Sequence, residues 1–287
     1  ELLRWYAAQH RSGVGLPVAV APSRPDLPPR LERDMSDVVG QPEARVAVEL
    51  AATAGHHMLL SGPPGVGKTM LAERLVTVLP PLTRAQALES HAVRSLAGVE
   101  VLGELDCRPP YEAPHHSASV AAIVGGGSGL VQPGAISRAH GGVLFLDEAP
   151  EFANSVLQTL RKPLESGEVT ISRAREQVTF PARFLLVLAA NPCPCGQGYA
   201  RGSDCVCAAI DLRRYKSKLS GPLMDRVDIR IVMPPVPVGA FAEQRGEDSA
   251  TIAARVLAAR AAQAQRWRTL WPGPTGTRAQ GPGRDRR

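Results

Sequence analysis

The stretch Gly62-Pro63-Pro64-Gly65-Val66-Gly67-Lys68-Thr69 has the residue types and the spacing of a loop that binds phosphate. Its glycines let backbone N–H groups curl around phosphate oxygens, and the positive end of a following helix adds to that attraction. Lys68 would reach the β- and γ-phosphates, and the Thr69 hydroxyl would bind magnesium. The alternative is a Gly-Pro turn with a surface lysine, but the flanking residues favour a loop that holds ATP with Mg²⁺.

Two acids, Asp147 and Glu148, follow directly after the apolar run from Val143 to Leu146. A buried parallel strand that ends in acids delivers carboxylates to the carboxyl edge of its sheet, where a phosphate loop also lies. Asp147 would hold magnesium, and Glu148 would orient and polarise the attacking water. The alternative is an acidic cap on the helix that we predict to begin near Glu151.

Two further polar residues stand where they could act on a phosphate. Asn191 follows the strand predicted from Phe184 to Ala190, so its amide could bond both the γ-phosphate and the attacking water. Its alternative role is an Asn-Pro turn that closes the strand. Arg226 could stabilise the phosphoryl oxygens in a neighbouring subunit's site, or it could simply pair with Asp225 or Asp228.

Four of the five cysteines form two Cys-x-Cys units that are separated by nine residues: Cys193, Cys195, Cys205 and Cys207. Four thiolates can close a structural zinc site, and three glycines in the intervening loop would let it fold back. Without an export signal, a compact cluster favours a metal over a disulfide framework. Four reduced, unligated cysteines are the alternative.

The phosphate loop needs a strand before it and a helix after it, and the sequence predicts both. Met58 to Leu60 is a short apolar run, and Met70 to Leu79 has a helical pattern that prolines end. We predict an earlier helix from Pro42 to Ala54, in which Val46 and Leu50 lie at helical spacing among alanines.

Residues 107–142 are rich in Pro, His, Ser and Gly and are predicted to be an insertion. The further predicted elements are a helix from Glu151 to Leu164, a hairpin over 168–172 and 177–180, a last strand from Ile229 to Val232, and a helix from Ser249 to Trp267.

Several basic residues lie near the predicted hairpin: Arg161, Lys162, Arg173 and Arg175. They could contact DNA phosphates, or they could form a solvated charged face. The adjacent His115 and His116 are expected to belong to a structural or substrate-facing loop, because neighbouring residues rarely chelate one ion.

The net charge of +6 says little about partners, since residues 266–287 carry six arginines against one aspartate and so account for +5. No apolar run approaches the roughly 20 residues of a membrane helix. The chain begins at Glu1 without a basic and apolar leader, so the sequence predicts a cytoplasmic protein without a membrane partner.

Seven stretches together make the chain resemble the AAA+ ATPases, specifically the magnesium-chelatase-like branch that contains the ComM competence proteins. Besides the phosphate loop they are Asp37–Gln41, Ala113–Ser119, Pro133–Ser137, Gly142–Glu148, Asn191–Gly196 and Ser220–Arg226. The resemblance covers residues 34–267. It implies that Lys68 and Thr69 belong to Walker A, Asp147 and Glu148 to Walker B, while Asn191 matches sensor 1 and Arg226 the arginine finger.

The resemblance also implies a fold and a function. The fold is an α/β three-layer sandwich around a parallel sheet, and a finger that acts in trans implies a ring, a hexamer. The implied activity is ATP hydrolysis that drives motion along single-stranded or branched DNA, as in branch migration during recombination and natural transformation. The alternatives are a chelatase-type motor that inserts a metal into a porphyrin, and a truncated chain that binds nucleotide without turnover.

The same comparison divides the chain into four parts. Residues 1–33 are expected to be a linker or the remnant of an upstream domain, 34–236 the ATPase core, and 237–271 the start of a helical lid. Residues 272–287 would be a disordered or frame-shifted basic tail. The family's lid carries a second sensor arginine, for which the sequence offers no residue, so the truncated lid puts full hydrolytic cycling in question.

Overall fold

The computed structural model describes residues 33–99, 105–127, 131–173, 177–198, 205–219, 221–237, 239 and 246–270. Residues 1–32 of the predicted linker and the whole predicted tail, 272–287, therefore lie outside the described residues, as does Arg175. Among the helices that the structure describes, none combines the length and the apolar character needed to cross a bilayer.

Five parallel strands form the central sheet, in the order β2-β5-β8-β1-β9. Their bounds are Met58–Ser61 for β1, Tyr111–Glu112 for β2, Val143–Leu146 for β5, Leu185–Ala190 for β8 and Ile229–Val232 for β9. The residues of β5 and β8 are all buried, as expected for strands covered on both faces. The strands predicted at 58–60, 143–146, 184–190 and 229–232 are confirmed.

Two small antiparallel pairs accompany the sheet: β3 (Gly125–Gly126) with β4 (Gln132–Pro133), and β6 (Glu168–Ser172) with β7 (Gln177–Pro181). The second pair is the hairpin that the sequence predicts.

Helices cover both faces of the sheet. They are α1 (Pro42–Ala54), α2 (Lys68–Val78), α3 (Arg84–Leu96), α4 (Val120–Val124), α5 (Ala135–Arg138), α6 (Asn154–Thr159), α7 (Arg161–Ser166), α8 (Ala209–Lys218) and α9 (Ser249–Leu270). Three 3-10 turns lie at Met35–Asp37, Ala149–Glu151 and Gly221–Arg226.

The sheet separates two apolar layers because successive side chains of a strand point to opposite faces. Phe145 and Val187 pack with α1, α2 and α9 in one cluster, whereas Leu144 and Leu186 pack with α4, α5 and α6 in the other. This arrangement of helix, sheet and helix confirms the predicted α/β three-layer sandwich.

Helix α1 has the predicted bounds, Pro42 to Ala54, but its two large apolar residues do not lie on its buried face. Val46 and Leu50 are 57% and 54% exposed, and alanines with Val48 form the face that packs on the sheet. Small side chains let the helix approach the sheet closely, so the large residues point away from it.

The segment 107–142 is more than an insertion. Its residues Tyr111 and Glu112 form the edge strand β2 and pair in parallel register with Val143 and Leu144 of β5. The pairing adds a fifth strand to the sheet and carries the chain that follows, with its two histidines, along the carboxyl edge.

The single helix predicted from Glu151 to Leu164 is divided into the 3-10 turn at Ala149–Glu151 and the short helices α6 and α7. Pro163 explains the second break, because it has no N–H to donate to the carbonyl of Thr159.

Helix α9 confirms the predicted helix from Ser249 to Trp267 and extends it to Leu270. Ile252 and Val256 bury their side chains in the cluster that includes α1 and α2. Arg255 bridges Glu49 and Glu247 on the outer side of this contact, so α9 is anchored against α1 by both apolar packing and charge.

Candidate nucleotide-binding site

The loop between β1 and α2 curls around the side chain of Lys68. Lys68 Nζ donates hydrogen bonds to the carbonyl oxygens of Gly62 and Pro63, at 2.7 and 2.9 Å, and the residue is only 8% exposed. Gly62 is required here, because a Cβ atom at this position would lie 2.4 Å from the carbonyl oxygen of Met233. The backbone is thus folded tightly around a buried cation.

The same ammonium group reaches the end of the neighbouring strand β8, where it donates to Asn191 Oδ1 at 3.1 Å. Burial lowers the pKa of Lys68, while the charges of Asp147 and Glu148 act in the opposite direction. The three oxygens that accept its hydrogen bonds are all uncharged. The arrangement therefore suits an anionic ligand, which would supply the opposite charge at close range.

The side chains of Thr69 and Asp147 are in contact past the end of β8, the strand that lies between β1 and β5. Thr69 Oγ1, in the first turn of α2, donates to Asp147 Oδ2 at 2.8 Å, and Asp147 follows directly after β5. A hydroxyl and a carboxylate side by side are hard oxygen ligands of the kind that Mg²⁺ prefers, so these two residues fit the ion.

Glu148 has an unusual backbone conformation with φ of 50°, one of two positive φ values among the described non-glycine residues. Its N–H donates to Asp147 Oδ1 at 2.9 Å, and its carboxylate is exposed. His116 Nδ1 lies 3.4 Å from Glu148 Oε2. The chain thus turns through a left-handed backbone conformation at Glu148, and His116 stands next to the carboxylate.

A cavity of about 300 Å³ adjoins these residues. Its lining includes Thr69, Asp147 and Glu148 on one side and His115 and His116 on the other. The histidine pair therefore borders the site, which the sequence did not predict, because only β2 brings that segment to the carboxyl edge. A contact with Glu148 has no signature in residue spacing.

Arg226 lies elsewhere. It ends the 3-10 turn after Gly221, and its guanidinium pairs with Glu165 of α7. The structure brings Lys68, Thr69, Asp147, Glu148 and Asn191 together at one edge but does not show Arg226 in contact with them.

The four clustered cysteines meet directly after Asn191. Their sulfur atoms all lie within 4.8 Å of one another, and the Cys193–Cys195, Cys195–Cys205 and Cys193–Cys205 distances are 3.3, 3.7 and 3.7 Å. The side chain of Cys193 is fully buried and accepts a hydrogen bond from the N–H of Gly198 at 3.1 Å.

The thiols influence one another strongly. A backbone hydrogen bond from Gln197, followed by bonds from Cys193 and Cys207, lowers the pKa of Cys195 to about 6. At Cys207 a backbone hydrogen bond with Cys195 favours the thiolate, but the side chain of Cys195 and burial outweigh it and raise the pKa to about 12. The thiolate of Cys195 thus forms readily, and its presence disfavours ionisation of Cys207.

Tyr215 is a second residue that sequence reasoning missed. It is the buried residue of α8, and its hydroxyl lies beside the backbone of Asn191. Burial raises the pKa of this hydroxyl to about 12, with further contributions from the charges of Glu151, Cys193 and Glu148. Tyr215 therefore places α8 next to the residue that contacts Lys68.

Comparisons with known proteins agree with this geometry. Residues 34–241 match the family model described as magnesium chelatase, subunit ChlI. The chain is 55% identical to the uncharacterized protein Rv2897c of Mycobacterium tuberculosis over 85% of its own length and 48% of the relative's. It is 46% identical to the competence protein ComM of Haemophilus influenzae, over 81% of this chain and 46% of ComM. The chain thus spans about half the length of the curated relatives that it matches.

A solved structure supports the fold. A chain from the cryo-EM-based complex of the magnesium chelatase subunits BchI and BchD superposes with a TM-score of 0.51 at 20% identity, covering 84% of this chain and 77% of that chain. The match over residues 34–241 shows that this chain belongs to the family of magnesium chelatase subunit ChlI.

Proposed function

We propose that this chain binds ATP with Mg²⁺ and hydrolyses it to ADP and phosphate. The observation that carries the proposal is the convergence of three strand ends on Lys68. The loop after β1 holds the lysine, Asn191 after β8 accepts its hydrogen bond, and Asp147 after β5 accepts one from Thr69. Such a cluster of one cation, two acids and an amide is what phosphoryl transfer requires.

The binding roles follow from this chain's own contacts. Lys68 exchanges uncharged acceptors for phosphate oxygens, and the loop from Gly62 to Gly67 presents its N–H groups to the same phosphates. Thr69 and Asp147 would hold Mg²⁺. When bound, the ion neutralises charge that develops on the phosphates.

Glu148 is the proposed general base. Its carboxylate takes a proton from water as the water oxygen bonds to the γ-phosphorus, and the bond to the bridging oxygen breaks with its electron pair passing to ADP. Asn191 would orient the γ-phosphate and the attacking water. His116 Nδ1 lies 3.4 Å from this carboxylate and would influence where it turns.

Arg226 is proposed to act on the site of a neighbouring subunit. Its guanidinium pairs with Glu165 of α7, and an arginine finger in trans requires a ring, for which we propose a hexamer. In the ring, Arg226 would exchange Glu165 for the phosphate of the neighbour.

For the use of this energy we propose movement along single-stranded or branched DNA in the cytoplasm. The identity with a competence protein supports it, and so does a basic surface on α8. Arg213, Arg214 and Lys216 are exposed on that helix, and the hydroxyl of Tyr215 between them lies beside the backbone of Asn191, so α8 would lie next to both the DNA and the nucleotide site. Residues 34–236 would form the core and 237–271 part of a lid, between the linker at 1–33 and the tail at 272–287.

A phosphate-release assay with and without DNA tests this use. We expect branched or single-stranded DNA to raise the rate, and Arg213→Ala with Lys216→Ala to remove the stimulation and to lessen its salt dependence. Ile210→Ala, an exposed change on the same helix that leaves charge unaltered, should have little effect.

Two other results of this assay would each favour a different function. Stimulation only by a partner subunit that binds a porphyrin would indicate a chelatase-type motor. Tight nucleotide binding without turnover would indicate that this chain binds nucleotide but does not hydrolyse it without the part of its relatives that it does not span.

A further inference from the structure

The sulfur atoms of the four cysteines all lie within 4.8 Å of one another, as the ligands of a single metal ion would. Zinc–sulfur bonds of about 2.3 Å place tetrahedral sulfurs about 3.8 Å apart. Two of the measured separations are 3.7 Å and one is 3.3 Å, all much longer than a disulfide bond of about 2.05 Å.

The loop is shaped to keep that arrangement. Gly198 lies so close to the sulfurs that an added Cβ would stand 3.0 Å from Cys193 Sγ and 3.5 Å from Cys205 Sγ. Its N–H donates to Cys193 Sγ at 3.1 Å, the kind of outer contact that orients metal ligands.

The same loop touches the phosphate loop. A Cβ atom at Gly196 would lie 2.9 Å from Cδ and 3.0 Å from Cγ of Pro64. On the other side, Cys193 is two residues from Asn191, whose side chain binds Lys68. The cysteine loop therefore meets the nucleotide site at two separate points.

We propose that Cys193, Cys195, Cys205 and Cys207 bind one zinc ion, and that the closed loop braces Pro64 and Asn191 so that metal occupancy controls nucleotide affinity. The second part rests on the proposed ATP site. Loss of the metal would release the loop, and the phosphate loop would then have to be ordered at the expense of binding energy.

Zinc content and nucleotide affinity are measured separately on the reduced protein. We expect about one zinc per chain, and removal with a mercurial and a chelator should weaken binding of fluorescent mant-ADP by roughly 10-fold. Added zinc should restore the affinity after the thiols have been regenerated. Cys205→Ser should lose the metal and Cys205→His should keep it, whereas Cys107→Ser, outside the cluster, should change neither quantity.

A separate pair of variants tests the contact between Gly196 and Pro64. Gly196→Ala should weaken mant-ADP binding while zinc stays bound. Gly55→Ala has a similar positive φ with nothing within 4 Å, so it controls for backbone strain alone.

Purified reduced protein that contains no zinc would overturn the proposed metal site. A nucleotide affinity that stays the same after zinc removal would overturn the proposed support of Pro64 and Asn191 by the cysteine loop. Lys68→Ala distinguishes the zinc site from the proposed ATP site, because the variant should no longer bind nucleotide but should still bind zinc. Zinc-loaded wild type that binds no nucleotide would contradict the ATP site itself.

Discussion

Lys68 Nζ and Asn191 Oδ1 are 3.1 Å apart, and this hydrogen bond joins the phosphate loop to the end of β8. A phosphate that approaches the ammonium must compete with the amide for the same donor. Asn191 is thereby placed to respond to the arrival of a γ-phosphate, and Tyr215 of α8 lies beside its backbone.

Asn191→Ala should therefore separate binding from turnover. Lys68 keeps its two carbonyl partners, so the Kd for ATP should change by less than about 3-fold, while the loss of an oriented amide should lower kcat by roughly 100-fold. Single-turnover phosphate release and equilibrium binding measure the two quantities. A kcat equal to that of wild type would remove Asn191 from the mechanism.

His116→Ala should raise the basal rate of hydrolysis by about 2- to 5-fold, because the carboxylate of Glu148 loses its contact with the imidazole and can turn towards the attacking water. His115→Ala is the matched control, since His115 Nδ1 contacts Ser117. Steady-state kinetics of both variants decide the matter. A fall in rate for His116→Ala would show instead that the histidine holds the base in its working position.

The strands and the phosphate loop were predictable because each depends on a local pattern: an apolar run for β5 and β8, and glycine spacing for the loop. The contact between His116 and Glu148 was not. It depends on β2 pairing at the sheet edge, and a strand of two residues leaves almost no pattern in the sequence.

Other misses have equally specific causes. Helix α3 begins at a Thr83–Gln86 capping box, a signal that the sequence contains but that our predictions did not include. Val46 and Leu50 lie at helical spacing, but the face of α1 that packs on the sheet is formed by alanines with Val48. The spacing therefore predicts the helix without predicting which of its faces is buried.

Arg226 can be tested by mixing two inactive variants. Arg226→Ala lacks the finger but keeps Glu148, and Glu148→Gln lacks the base but keeps the finger. Each alone should lose at least about 100-fold in kcat. In mixed rings, an intact site faces an intact finger at some interfaces, so mixing should restore a measurable part of the activity.

Equal mixtures that stay inactive, although subunit exchange is demonstrated by fluorescence, would show that Arg226 does not act in trans. Glu165→Gln should leave turnover largely unchanged, because its pairing with Arg226 is given up in the ring.

His140 should make stability depend on pH. Burial lowers its pKa below 6.5, and Nδ1 accepts a hydrogen bond from the N–H of Arg183 at 3.1 Å, while Nε2 lies 3.1 Å from Glu89. The unfolded chain therefore takes up the proton first, and the free energy of unfolding should decline as pH falls below about 6.5.

His140→Gln removes this titration and keeps a polar side chain. Thermal unfolding at pH 8, 7, 6 and 5.5 should show a smaller decline in Tm for the variant than for wild type, with the difference confined to the acidic end. Identical slopes for the two proteins would contradict the assignment.

The ATP site is the centre of the account, and Lys68→Ala tests it most directly. Magnesium-dependent phosphate release from ATP is measured for wild type and for Lys68→Ala, with thermal unfolding to show that the variant is folded. We predict turnover by wild type and a loss of at least about 100-fold in the variant, because the one buried cation of the loop is removed. Equal phosphate release by the two folded proteins would contradict the assignment of this loop as the ATP site.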